Sequence, residues 1–214
     1  MTIDLNQFWK SEFLEHTATM IATSQNLEKE FIKLIEQSTR AVQDGKKVLF
    51  FGNGGSASDS QHLATELTCR YKKDRAAIPA IALTTDTSAL TACGNDFGYE
   101  SVFARQVEAL GIKGDICIGI STSGTSKNVV KGLEVAKEKG LITVGFTGET
   151  GGVMNDLCDI IFRVPSKTTA RIQEMHITIG QMFCGALEQN LGLVEPELPE
   201  VDTNVLSDLL LKVA

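Results

Sequence analysis

Residues 47–70 read KVLFFGNGGSASDSQHLATELTCR, and this stretch constrains the fold more than any other. Residues 48–51 are a short continuous apolar run, the pattern of a strand buried on both faces of a parallel sheet. Gly52, Gly54 and Gly55 end the run abruptly and let the backbone take positive φ and approach a ligand closely. Asn53, Ser56 and Ser58 add short polar side chains beside exposed amides. From about residue 57 a helix is expected, with its N-terminus pointing back at the loop, so that its dipole and free N–H groups favour an anion. His62 and Glu66 then fall one turn apart on one face of that helix. Strand, glycine loop and helix also make the first unit of any doubly wound α/β domain, and a His–Glu pair at this spacing is common on solvated faces. A second polar loop downstream is what sets this stretch apart.

Residues 115–120 (DICIGI) read as another buried strand, followed at once by Ser121, Thr122, Ser123, Gly124, Thr125 and Ser126 before a helix over 127–139. One hydroxyl suffices to cap a helix. The surplus points to a cradle in which hydroxyls and helix N-terminal amides hold a phosphate without the lysine of a P-loop. Between these units, residues 78–83 (IPAIAL) read as a strand entered through Pro79. Thr84, Thr85, Asp86, Thr87 and Ser88 offer N-caps for a short helix through Cys93, residues 94–98 (GNDFG) read as a turn, and a helix over about 99–110 follows. Asn95 and Asp96 are turn formers on this reading. Strands over 141–146 and 159–164, with a short helix near 153–157, complete the alternation and predict a parallel sheet of about five strands covered on both faces. Ligands in such folds bind beyond the carboxyl ends of the strands, so one phosphorylated ligand can touch both polar loops.

Residues 5–43 are helical in pattern, with a break around 23–26 and a stripe formed by Leu27, Phe31, Leu34, Ile35, Ser38 and Val42. The earlier half, with Phe8, Trp9, Phe13, Leu14 and Met20, reads equally as an arm packed on a partner subunit and as a cover for one edge of its own sheet. The last helix, about 169–189, carries a seam of Ile172, Ile179, Met182, Phe183, Ala186 and Leu187, interrupted by Gln173, Glu174, His176 and Gln181. An apolar helix with embedded polar groups is the pattern of a subunit interface that lines a site. Beyond Leu193, Pro196 and Pro199 precede a short apolar pattern over 205–213, which reads as a docking segment or as disorder.

The 214 residues, at a formal charge of −7 and a pI near 5.0, suit one α/β domain and exclude a nucleic-acid surface, which needs clustered Lys and Arg. Five scattered cysteines without CxxC spacing give neither a disulfide framework nor a thiolate zinc site, and read as reduced core residues. Neither a cationic and apolar N-terminal signal nor a membrane-length apolar run is visible, so a cytoplasmic protein without membrane contact is expected.

GNGGS with His62 and Glu66, CGNDFG, STSGTS and RIQEMH, in that order, make the chain resemble the sedoheptulose-7-phosphate isomerase (phosphoheptose isomerase) family of sugar isomerase (SIS) domains over roughly residues 5–192. The resemblance implies a three-layer α/β/α sandwich with a five-stranded parallel sheet, flavodoxin-like, with an N-terminal helical arm. It implies one SIS domain over 1–192, a tail over 193–214, and a homotetramer. The implied reaction is an aldose–ketose isomerisation of a phosphorylated seven-carbon sugar, sedoheptulose 7-phosphate to D-glycero-D-manno-heptose 7-phosphate, through a cis-enediol, for lipopolysaccharide heptose synthesis. By matching positions, Ser121, Thr122, Ser123 and Ser126 hold the phosphate, while Asn53, Gly54, Gly55, Ser56, Asn95, Asp96 and Gln173 line the sugar. Glu66 matches the family's acid/base and is expected to face the glycine loop from the first turns of its helix. Ligands for Zn2+ match His62, Glu66, Gln173 and the position eight residues after that glutamine.

Here the sequence departs from the pattern, because that position is Gln181, where the family has a histidine that is both metal ligand and partner acid/base. Glutamine cannot shuttle a proton and is a poorer zinc ligand. Three readings stay open: an isomerase working with Glu66 and His62, an engineered substitution that traps ligand, and a relative without isomerase activity. From a different class come SIS-domain proteins that bind a sugar phosphate without turnover, or that bind the bacterial replication initiator. Initiator-binding relatives lack the carboxylate, so Glu66 with His62 and Gln173 favours an enzyme. His176 also matches a family histidine and reads as structural. Gln173 and Gln181 lie about 12 Å apart along one helix, a spacing from which the helix is expected to contribute to sites at a subunit interface, Gln173 to one site and Gln181 to another.

Overall fold

The computed structural model describes residues 2–197; the apolar pattern over 205–213 lies outside them. Five strands form one sheet: β1 (Val48–Gly52), β2 (Ala80–Ala82), β3 (Ile116–Ile120), β4 (Ile142–Gly148) and β5 (Ile160–Val164). All pairings are parallel and the order is β2-β1-β3-β4-β5. The helices are α1 (Leu5–Asn26), α2 (Glu28–Gln43), α3 (Gly55–Thr68), α4 (Thr87–Phe97), α5 (Ala104–Leu110), α6 (Lys127–Glu138) and α7 (Thr169–Asn190).

Side chains alternate across a strand, so each central strand feeds two cores. Val48 and Phe50 join Leu34, Ile35, Leu63, Leu67, Phe183 and Leu187 beneath α2, α3 and α7. Leu49 and Phe51 join Val107, Val129 and Leu133 beneath α5 and α6. Phe50, Phe51, Phe146, Phe162 and Phe183 are fully buried, and each contributes roughly 1.5–3 kcal/mol of transfer free energy. The expected three-layer α/β/α sandwich is therefore present, with α3 and α7 side by side on one face and α6 on the other. Gly52 pairs with Ile120, so the chain leaves β1 and β3 at the same level and the two polar loops open side by side.

Four local expectations are corrected. Residues 94–97 are not a turn but the last residues of α4. Asp86 caps that helix through its carboxylate, accepting from Ala89 N at 3.0 Å, and Leu90 and Cys93 anchor it on the core; this packing outweighs the roughly 1 kcal/mol helix penalty of Gly94. Gly98, at φ +81°, ends the helix, and a 3-10 turn over Tyr99–Ser101 replaces the expected start of the next one. Met182, assigned to the apolar seam of α7, is 53% exposed. Cys69 is exposed, while Cys93, Cys117 and Cys184 are buried as expected; burial raises the Cys117 thiol well above its usual range and pushes Cys158 up to about 12.

The N-terminal arm does not cover a sheet edge with its apolar face. Its polar side faces the chain's own α7: Arg171 donates to Glu12 O at 2.6 Å, Thr168 Oγ1 donates to Glu15 Oε1 at 2.5 Å, and His16 Nδ1 meets Glu174 Oε2 at 2.7 Å. Leu5, Phe8, Trp9, Phe13 and Leu14 face outward, with Trp9 66% exposed. No helix among the described residues is long and apolar enough to cross a membrane.

The C-terminal end of α3 is held by a buried cation. Arg75 donates to the carbonyls of Glu66 (2.6 Å), Leu67 (2.8 Å) and Ala76 (3.0 Å), and its Nε reaches Glu188 Oε2 on α7 at 3.1 Å, both side chains being almost inaccessible. Removing one partner of such a pair leaves an uncompensated buried charge. Glu188→Gln is expected to lower unfolding stability by about 3 kcal/mol, read from urea denaturation at fixed protein concentration. A loss below about 1 kcal/mol would mean that the carbonyls alone satisfy Arg75.

Candidate active site

The phosphate end is built by what does not cap α6. Ser126 occupies the N-cap position with no side-chain bond to the helix; its Oγ instead accepts from Ser121 Oγ at 2.9 Å. Ser123 Oγ accepts from Thr125 N (3.2 Å) and Thr125 Oγ1 (2.9 Å). Among the described residues, the first-turn N–H groups of Lys127 and Asn128 have no partner in the chain. A cluster of hydroxyls beside unpaired amides at a positive helix end suits a phosphate. The loop is rigid for steric reasons. Gly124 sits at φ +67°, and a Cβ there would lie 2.1 Å from Gly151 O; Gly148 N donates to Thr122 O at 2.9 Å. The Ser121, Ser123 and Ser126 hydroxyls thus lie together, and Thr122 is tied in through its carbonyl.

Beside this cradle, Gly54 (φ +57°) caps α3 without a side-chain bond, and Ser56 is buried in the first turn. Asn53 exchanges amide hydrogen bonds of 2.8 Å with Asn128 and accepts from Tyr99 OH at 3.0 Å. Gln173 lies over Gly55: a Cβ on Gly55 would meet its Nε2 at 2.8 Å. The Asn95 and Asp96 side chains are exposed and, among the described residues, bond only to each other, at 2.8 Å, with no hydrogen bond to the cradle.

The His62–Glu66 pair lies elsewhere on α3. Glu66 is not in the first turns of its helix; it follows Gly55 by eleven residues, about 16 Å along the axis. Helix α3 starts at Gly55, two residues before the expected position, which lengthens that separation. Glu66 Oε1 meets His62 Nε2 at 3.0 Å, and the Gln181 amide meets the same ring nitrogen at 3.2 Å. One ring nitrogen cannot serve both: a protonated Nε2 donates to Glu66, whereas the Gln181 Nε2 can only donate to an unprotonated one. Gln181 therefore competes with Glu66 for His62. Burial raises the Tyr71 hydroxyl and the Cys184 thiol, and the Glu66 charge acts in the same sense on both. Gln181 opens on a largely apolar groove of about 680 Å³ lined by Phe31, Ile32, Ile35, Tyr71 and Met182.

Two groups near these ends are held away from their usual protonation. The Asp59 carboxyl, on the turn of α3 before His62, is raised by partial burial, with His62 acting in the opposite sense. His176 is pushed down to about 4 by burial, against a backbone contact with Thr147 O at 3.1 Å, so it is neutral near pH 7 and its role is structural.

The residues matched to a zinc site do not fit a tight one. His62 and Glu66 are the only strong donors of the four, Gln173 and Gln181 offer amide oxygens, and Gln173 lies at the other end of the α3–α7 contact. Among the described residues no three His, Cys, Asp or Glu side chains form a metal-sized group.

Asn128, Tyr99 and Asp59 escaped the sequence reading. Asn128 had a signal, an asparagine just inside a helix start, where its side chain bonds backbone; Tyr99 had none beyond its place after Gly98.

Comparison with known proteins now bears on this geometry. A SIS domain family model matches residues 12–148. The phosphoheptose isomerase of Paramagnetospirillum magneticum is 51% identical over 181 residues, covering 85% of this chain and 94% of that protein. That of Aneurinibacillus thermoaerophilus is 55% identical over 166 residues, covering 76% and 84%. A phosphoheptose isomerase structure from Francisella tularensis superimposes with a TM-score of 0.85 at 34% identity, covering 87% of this chain and 100% of that one. The chain belongs to the phosphoheptose isomerase family of SIS-domain proteins.

Proposed function

We propose that this chain isomerises sedoheptulose 7-phosphate to D-glycero-D-manno-heptose 7-phosphate through a cis-enediol, in heptose synthesis for lipopolysaccharide. The observation that carries the reading is the unpaired α6 amides and clustered hydroxyls beside the glycine loop, a seat for one phosphate, in a chain whose relatives are phosphoheptose isomerases. The Glu66 carboxylate takes the C1 proton of the ketose while the C2 carbonyl oxygen gains one, giving the enediol. Return of the proton to C2, with loss of the O1 proton, gives the aldose. Gln181 cannot move a proton, so the oxygen protons fall to His62 and water.

The site is completed by a second copy of the chain. In an extended heptose 7-phosphate, phosphorus and C2 are about 9 Å apart on ordinary bond lengths, whereas Glu66 follows Gly55 by eleven residues, about 16 Å along the α3 axis. Gln173 stands at the cradle end and Gln181 with His62 at the other, which supports a site whose two halves are drawn from different subunits. The outward apolar face of α1 supports an assembly, which we take to be a homotetramer, in the cytoplasm.

Turnover is tested in heavy water. The chain is expected to place deuterium on C1 or C2 of the sugar, and Glu66→Gln to slow exchange by about 10²-fold or more while phosphosugar affinity in calorimetry is kept. Near-normal exchange by Glu66→Gln would mean that another residue is the base.

Zinc supplies, when bound, a Lewis acid for the two sugar oxygens. With two strong donors this chain holds it weakly, and Gln181→His is expected to tighten zinc at least about tenfold, read by competition with a chelating dye, and to raise the rate. Unaltered zinc affinity would show that Gln181 is not the defect.

A further inference from the structure

We infer that Tyr99 and Asn128 are positioning residues that fix Asn53 with an N–H, not an oxygen, turned toward the sugar; this rests on the proposed function and adds a recognition rule to it. One donor in this network cannot reverse. Val129 N–H donates to Asn128 Oδ1 at 3.0 Å, and a backbone amide never accepts at nitrogen, so the Asn128 side chain is held in one of its two amide orientations. Its Oδ1 then faces Asn53 Nδ2 and its Nδ2 faces Asn53 Oδ1, each at 2.8 Å. Asn53 has no remaining choice. Tyr99 OH, 3.0 Å from Asn53 Oδ1, must donate.

Both acceptor sites of Asn53 Oδ1 are thereby filled, and Nδ2 keeps one hydrogen with no partner among the described residues. That hydrogen is what the loop offers a ligand, so Asn53 recognises an oxygen acceptor on the sugar. Asn128 is 3% exposed, which keeps water from competing for its amide. It also belongs to the first turn of α6, whose free amides form the phosphate seat. One buried asparagine therefore ties the register of the sugar loop to that of the phosphate helix. Tyr99 is the accessible end of the relay, 64% exposed, and can be altered without opening the core.

The test is a double-mutant cycle of Tyr99→Phe and Asn53→Ala. It reads kcat and KM for sedoheptulose 7-phosphate, the Ki of inorganic phosphate as competitor, and melting temperature. Tyr99→Phe is expected to raise KM roughly fivefold, the loss of one hydrogen bond, with phosphate Ki within about twofold and the melting temperature unchanged. In the Asn53→Ala background the same change is expected to do nothing further. An unaltered KM in Tyr99→Phe, or an equal fivefold loss without Asn53, overturns the inference. A wild-type chain without turnover contradicts the proposed function instead, and the cycle is then read on phosphosugar affinity by calorimetry, with the same two outcomes.

Discussion

A helix is a ruler, and α3 measures this site. Its first residue, Gly55, belongs to the glycine loop, while Glu66 lies eleven residues on, about 16 Å further along the axis. The spacing is enforced at both ends. Gly54 and Gly55 leave the N-terminus open and close to Gln173, and Arg75 grips the Glu66 and Leu67 carbonyls and ties them to Glu188 on α7. Because α7 runs alongside, its polar residues sort themselves to the two ends: Gln173 beside Gly55, Gln181 beside His62.

The two ends differ in chemistry. At the loop end, binding comes from groups that need no charge: amides left unpaired because Ser126 declines to cap α6, hydroxyls chained together, and an asparagine pair whose polarity is set by the backbone. On the proposed function, these groups let a chain of net charge −7 seat a phosphate without recruiting a lysine. At the other end, His62, Glu66 and Gln181 share one ring nitrogen, and the amide there can neither exchange a proton nor bind zinc as an imidazole does.

Much of this was legible in the sequence. The strand–loop–helix units, the level exit of the two polar loops and the His62–Glu66 pair followed from local pattern, because buried parallel strands and glycine turns leave clear marks. The turn assigned to 94–98 failed because the packing of Leu90 and Cys93 outweighed the local preference of glycine and asparagine. Glu66 was placed too near the loop because helical phase, which local pattern reports well, says nothing of distance along the axis. Asn128 and Tyr99 were missed because their roles arise from three elements meeting, which no spacing along the chain records. The outward face of α1 was visible as amphipathic, but which side met its own chain depended on Arg171 and Glu174, far away in sequence.

In the proposed assembly, the cradle of one subunit works with Glu66 of another. Two inactive chains test it when co-expressed with different affinity tags: one carrying Glu66→Gln, the other with Ser121, Ser123 and Ser126 all replaced by Ala. In hybrids of the two, some interfaces pair an intact cradle with an intact Glu66, so isomerase activity absent from both parents is expected to return. Hybrids no more active than their parents would contradict the account and place both halves of the site in a single subunit.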